Sequence, residues 1–384
     1  YLTVLYSTKG EKIIVEGKKV EFNLNSWQSL LKENKKDTLY IEIYLKKNNQ
    51  WLKYPLLKNY IASEKIDSYI SYRLIEPSYV TYEVMTINQR NLTNFEEEII
   101  YDNSTLSNKD KGQCINCHAY QNYNKTGNMQ FHVRQYLGGT IIVAGNKTRK
   151  VNLKTDHTIS SGVYPAWHPS KNLIAYSVNN TQQNFHTRNP QKIEVIDSKS
   201  GLILYDIEKN EIKEIVNNPN ELETFPSWST DGKFLYYVSA KYPEKIANDT
   251  DNISLQYQDF HYNIYRKAFN SQTHEFTYTD TIFEASNYNK SATFPRESPD
   301  GRYLLFTLGD YGNFHIWHKS SDLYLLDLIT KTLRPMIELN SPDVESYHSW
   351  SSNGRWIIFS SRRDDGSYTR PYIAYFKNGK ASKP

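Results

Sequence analysis

Two cysteines and three methionines are all the sulfur in a chain of 384 residues. A disulfide between Cys114 and Cys117 would close a loop of two residues and constrain almost nothing. No apolar run approaches the roughly 18 residues of a membrane-spanning helix, and the mean hydropathy is −0.70, so no transmembrane segment is expected. Basic residues never run more than two or three together, and 46 Lys and Arg against 42 Asp and Glu leave a net charge of only +4. That balance excludes a nucleic-acid footprint. The patterns GxSxG and HExxH and a phosphate loop are all missing, so no catalytic residue is assigned and enzymatic activity is left open.

What is abundant is tyrosine, 32 of it, within an aromatic content of 14%, which suits strands better than helices. At this length a single core requires a barrel or propeller. Lys19–Leu24 and Leu39–Leu45 alternate with period two and predict half-buried strands. Between them a short helix is expected, capped by Ser26. Residues 1–76 are read as a small β-sandwich, and 77–135 as a linker and haem-attachment segment. Residues 136–384 repeat one template four times.

The template is an aromatic, then Pro or a substitute, then a turn feeding an apolar strand. Its copies are Tyr164-Pro165-Ala166-Trp167, Phe225-Pro226-Ser227-Trp228, Phe294-Pro295-Arg296-Glu297 and Tyr347-His348-Ser349-Trp350, spaced 53 to 69 residues apart. Asp231-Gly232, Asp300-Gly301 and Asn353-Gly354 supply the positive φ angles that tight hairpins need. Such a repeat predicts a β-propeller of about six blades, with Trp167, Trp228 and Trp350 equivalent in successive blades. A large sandwich would have no reason to repeat it.

Cys114-Ile115-Asn116-Cys117-His118 is the motif with chemical content. Covalent haem attachment needs two thiols for the vinyl groups and an imidazole for the iron. One haem c is therefore expected, held by Cys114 and Cys117 and ligated by His118. A bare dithiol leaves His118 idle, and zinc lacks a second cysteine pair. Met129 and His132 are the candidates for the sixth ligand. Met129 lies eleven residues after His118, and His132 is favoured because Arg134 stands near enough to neutralise a propionate. On a strand, 129 and 132 face opposite sides. Attachment of this kind happens outside the cytoplasm, so an exported protein of the periplasm or outer envelope is expected. Tyr1, in place of a starting Met, is compatible with a removed signal or anchor.

The four copies of the template resemble the TolB-like propellers of bacterial envelopes. Together with Tyr72–Pro77, the Cys114–His118 motif and Met129–Arg134, they resemble envelope proteins of Bacteroides-type bacteria that place one CxxCH before such a propeller. The resemblance implies an envelope protein partner or a redox partner and names no substrate. Electron transfer by a single haem is the leading expectation. A partner-binding propeller with a structural or sensory haem, and an oxidoreductase with a pocket in the propeller, are the alternatives.

Overall fold

The computed structural model describes residues 1–76, 84–107, 112–186, 188, 193–243 and 255–384. The chain divides into two compact units, one of residues 1–68 with 91–96, the other of residues 69–90 with 97–384.

In the N-terminal unit Leu2–Tyr6, Ile13–Glu16, Thr38–Lys47, Gln50–Lys53 and Leu57–Tyr60 form one five-stranded antiparallel sheet. A helix, Leu24–Glu33, supplies the other half of its core. Leu30, Leu31 and Trp27 pack with Leu5, Ile13, Leu39 and Ile61 of the sheet side. The expected two-sheet sandwich is thus one sheet and one helix. The helix starts earlier than expected, because Asn23 rather than Ser26 caps it, its side chain accepting from the backbone of Asn25 and Ser26 at 2.9 and 3.1 Å.

The second unit is a β-propeller of six antiparallel sheets, each built from strands consecutive in the chain. Blade 1 has three strands, Tyr69–Ile75, Met85–Asn91 and Glu97–Asp102. Blade 2 runs Gln113–Tyr120, Met129–Gln135, Gly139–Ala144 and Lys147–Val151. Blade 3 takes Val163–Trp167 to Glu211–Val216, blade 4 Glu221–Trp228 to Glu275–Phe283, blade 5 Ser291–Glu297 to Leu333–Pro335, and blade 6 Glu345–Trp350 to Lys380–Ala381. The first strand of each is the inner one.

Two expectations change here. Much of the segment read as a linker and haem carrier is blade 1 and the first half of blade 2. The Cys114–His118 motif is strand, in the innermost position of a blade. The expectation for Pro77 itself lies outside the described residues.

Blades are held by the apolar side chains that fill the gaps between neighbours. Met85 and Ile87 of blade 1 meet Ile115, Phe131 and Val133 of blade 2. Ile142 meets Trp167 and Tyr176 in the next gap, Ala166 and Leu204 meet Trp228 and Tyr237, Tyr236 and Ile264 meet Leu304 and Phe306, and Leu305 and Leu323 meet Trp350 and Phe359. Among the described residues no such cluster joins blade 6 to blade 1. Trp167, Trp228 and Trp350 occupy equivalent buried slots, as expected; Trp228 and Trp350 each donate Nε1–H at 3.1 Å to the preceding blade, to Ala166 and Arg296 carbonyls respectively.

The turns explain why the template repeats. Ser229, Ser298 and Ser351 each bond the acidic or amide side chain two residues on, and each accepts at 2.9 Å from the backbone N–H that opens the following strand. Gly232, Gly301 and Gly354 hold φ of 72°, 71° and 64°, a left-handed region that glycine enters without penalty.

Candidate functional site at the propeller axis

Each of five inner strands is interrupted at one place, where the register slips by a residue. The interruption falls on Cys117-His118, Tyr164-Pro165, Phe225-Pro226, Phe294-Pro295 and Tyr347-His348. The first residue of each pair has a left-handed backbone, with φ of 54°, 49°, 53°, 53° and 48°. Bulky side chains resist that region, and such strain persists only where the surroundings over-determine it. The consequence is a set of side chains turned out of the strand pattern and toward the axis.

Four of them form an arc. Ring centroids lie 4.5 Å apart for Tyr164 and Phe225, 4.2 Å for Phe225 and Phe294, and 4.5 Å for Phe294 and Tyr347. Cys117 takes the fifth place, within electrostatic reach of both Tyr164 and Tyr347. Gln130, fully buried, pins this bulge by donating to the Cys117 carbonyl and accepting from the Tyr176 hydroxyl at 3.3 Å.

Where the second residue of the pair is a histidine, it turns into the gap toward the preceding blade. His348 shows how: its Nε2 meets the Leu305 carbonyl at 2.9 Å, its Nδ1 has no partner, and burial holds its pKa down at about 3. His118 repeats this. Its Nδ1 is buried and unpartnered, and burial holds it below the usual histidine value against the opposing pull of the Ser71 backbone in blade 1. Cys117-His118 is therefore a fifth copy of the template. The pattern His, small, aromatic in His118-Ala119-Tyr120 and His348-Ser349-Trp350 was the signal by which the sequence could have revealed it.

The remaining expected site residues are placed as follows. Both cysteines are free and partly exposed. Cys114 stands directly across from Arg134 and packs against the cluster between blades 1 and 2, and burial raises its thiol pKa against the opposing charges of Arg134 and Arg73. His132 is buried on the opposite face of its strand from Met129. Its Nδ1 lies 3.0 Å from the Thr140 hydroxyl, and burial lowers its pKa to about 4. Met129 packs in the apolar cluster with Phe131 and Val133. Arg134 is exposed.

Covalent haem would need both thiols and the His118 imidazole to face one space. Here Cys117 turns to the axis, His118 into the gap toward Ser71, and Cys114 against the blade 1 and 2 core. Cys114 is nonetheless within electrostatic reach of Cys117, and Cys114 and His118 are both within reach of Arg73. Neither of the two described cavities is lined by them. Among the described residues no group of three or more His, Cys, Asp or Glu is placed to hold a metal ion.

A second polar group lies off the axis. Asp197 is buried and accepts from Asn179 at 2.7 Å and Asn313 at 2.8 Å; burial raises its pKa to about 7 despite those bonds. It borders a narrow cavity that Tyr257, Phe260 and Tyr262 also line.

No family model matches the chain, and no curated protein does. Among solved structures it is similar to the tricorn protease (TM-score 0.42, 11% identity, 88% of this chain and 33% of that one). It is also similar to a prolyl endopeptidase (TM-score 0.43, 11% identity, 91% and 40%) and to the β-propeller domain of the Trilobed protease from Pyrococcus furiosus, described as having an open velcro topology (TM-score 0.35, 12% identity, 98% and 97%). The chain spans about a third of the tricorn chain. Likeness this distant says nothing of activity, and the propeller assignment stands on the sheets themselves.

Proposed function

We propose that this chain is an exported binding propeller of the bacterial envelope, similar in role to the TolB-like proteins, which receives a protein partner at its axis. The observation that carries the reading is the strained ring, five side chains forced toward one axis by left-handed bulges in consecutive blades. The described residues contain no helix long and apolar enough to cross a membrane.

A photocrosslinking residue at Tyr347, in cells that naturally make the protein, is expected to give a discrete protein adduct. The same residue at Tyr278, exposed on an outer strand, is expected to give none. Adducts of equal pattern from both positions, or none from Tyr347, would overturn the reading.

A second proposal keeps one covalent haem on Cys114, Cys117 and His118, for electron transfer between envelope partners. Its support is the motif itself, the free state of both thiols and the bare Nδ1 of His118. Haem-stained denaturing gels of protein exported together with the attachment machinery decide it, because an unstained band excludes covalent haem.

A further inference from the structure

In the N-terminal unit the helix packs on one face of the sheet. Leu5, Ile13 and Leu39 turn to that side. The register fixes what the other face carries, because residues directly opposite each other on neighbouring strands point the same way. Tyr6 stands across from Tyr40, Tyr40 from Lys58, Tyr44 from Lys53, and Lys46 from Trp51. Each lysine lies on a ring: Lys12 is 4.7 Å from the centroid of Tyr6, Lys58 5.9 Å from Tyr40, Lys53 5.3 Å from Tyr44 and Lys46 5.6 Å from Trp51. Tyr6 and Tyr40 stack on each other at 5.2 Å. A column of Lys12, Tyr6, Tyr40 and Lys58 therefore runs across the sheet with a cation at each end.

Charge and exposure set this unit apart. Its 74 residues hold 12 lysines against 9 acids, a net charge of +3 out of the +4 of the whole chain. Lys53 is held by Glu42 at 3.0 Å, and Glu42 also accepts from the Tyr6 and Tyr44 hydroxyls. Lys12, Lys46 and Lys58 are exposed and hold no acid among the described residues. On the same face Ile14, Trp51 and Tyr60 are 65%, 44% and 57% exposed. Both described cavities lie in the propeller, so this face offers a surface rather than a pocket.

We propose that this face docks the protein on an anionic lipid bilayer, its lysines meeting headgroup phosphates while Ile14, Trp51 and Tyr60 enter the interface. Amphipathic rings settle at headgroup depth, lysines keep their ammonium groups in the wet layer, and an anionic leaflet attracts each of them. A base needs a bare ring face to stack on, and so does a sugar. The facing sides of Tyr6 and Tyr40 are taken by each other and their outer sides by Lys12 and Lys58, which favours a lipid surface over a nucleic acid or a polysaccharide. The inference does not depend on the axial binding reading.

Flotation of the whole chain with vesicles at low ionic strength tests it. Vesicles of phosphatidylcholine and phosphatidylglycerol in equal parts are expected to carry the protein, and vesicles of phosphatidylcholine alone are not. Added salt should release it, because exposed charges are screened. Lys12→Gln with Lys58→Gln, both at exposed positions with little folding risk, should weaken binding about fivefold for each lysine removed, and Trp51→Ser should weaken it as well. Lys32→Gln with Lys35→Gln removes the same charge in and just beyond the helix and should change binding far less. Flotation with neither vesicle, equal flotation with both, equal weakening by the two lysine pairs, or binding to soluble alginate in place of vesicles would overturn the proposal. The Tyr347 crosslink reads the axis alone, so the two readings fail separately.

Discussion

The inner strands of blades 2 and 6 are the instructive pair. Asn116-Cys117-His118-Ala119-Tyr120 and Ser346-Tyr347-His348-Ser349-Trp350 share the same bulge, nearly the same φ, a histidine turned toward the preceding blade and an aromatic two residues later. Only in blade 2 is the axial position a cysteine with a second cysteine three residues before it. The difference teaches that a short motif acquires its meaning from the strand it sits on. Read alone, Cys117-His118 is half of a cofactor motif; beside Tyr347-His348 it is also the bulge of a blade's inner strand.

If the blades are equivalent, the largest cost comes from their shared tryptophan slot. Trp228→Ala is expected to lose about 3–5 kcal/mol in urea unfolding, since the indole packs on His168, Phe269 and Phe276. Tyr120→Ala, half-buried in the corresponding slot of blade 2, should lose clearly less. Equal stability of wild type and Trp228→Ala would break the repeat assignment.

Acid sharpens the comparison next. His348 has a folded pKa of about 3, below the roughly 6.5 of an unfolded histidine, so the unfolded chain binds the proton more readily. Its contribution is complete above about pH 6.5 and is lost as the pH falls toward 3, up to about 5 kcal/mol from this group. His348→Gln should flatten the acid limb of a pH–stability curve. His118→Gln should flatten it in the same direction, because burial shifts both rings alike. A limb steepened by either substitution would separate the two sites.

Smaller effects follow from exchanging residues between copies. Proline fills the second bulge position in three blades, so His118→Pro should cost within about 1 kcal/mol, whereas proline inside a ladder costs about 3 or more. Cys117→Phe places the common aromatic on the axis and is likewise expected to stay within about 1.5 kcal/mol, as a tolerated repacking. Thermal melts of the two variants measure this, and a loss of several kcal/mol in either would mean that blade 2 is not a true copy.

Four blades were readable in the sequence because Pro and Asp-Gly or Asn-Gly punctuate most of their inner hairpins, and those residues have few other reasons to recur. Blade 2 was not, because Cys117 replaces the aromatic and Gln121, whose amide bonds the His168 and Lys171 carbonyls at 2.8 Å, replaces the serine of the turn. Blade 1 lacks the template altogether. Of the two period-two segments near the N-terminus, Leu39–Leu45 is strand, whereas Lys19–Leu24 is irregular chain that leads into the helix; alternation reports only that one face is covered, and here a helix rather than a sheet helps cover it.

Among the described residues no strand from one end of the propeller completes a sheet at the other, and every blade is finished by the stretch of chain that begins it. During synthesis each blade can therefore pair its strands as soon as it emerges and then serve as the template against which the next one packs. Long-range searching is confined to the final step, when the edge of the last blade meets that of the first. That seam, which lacks an apolar cluster among the described residues, is the place where amide hydrogen exchange should report the earliest opening of the ring.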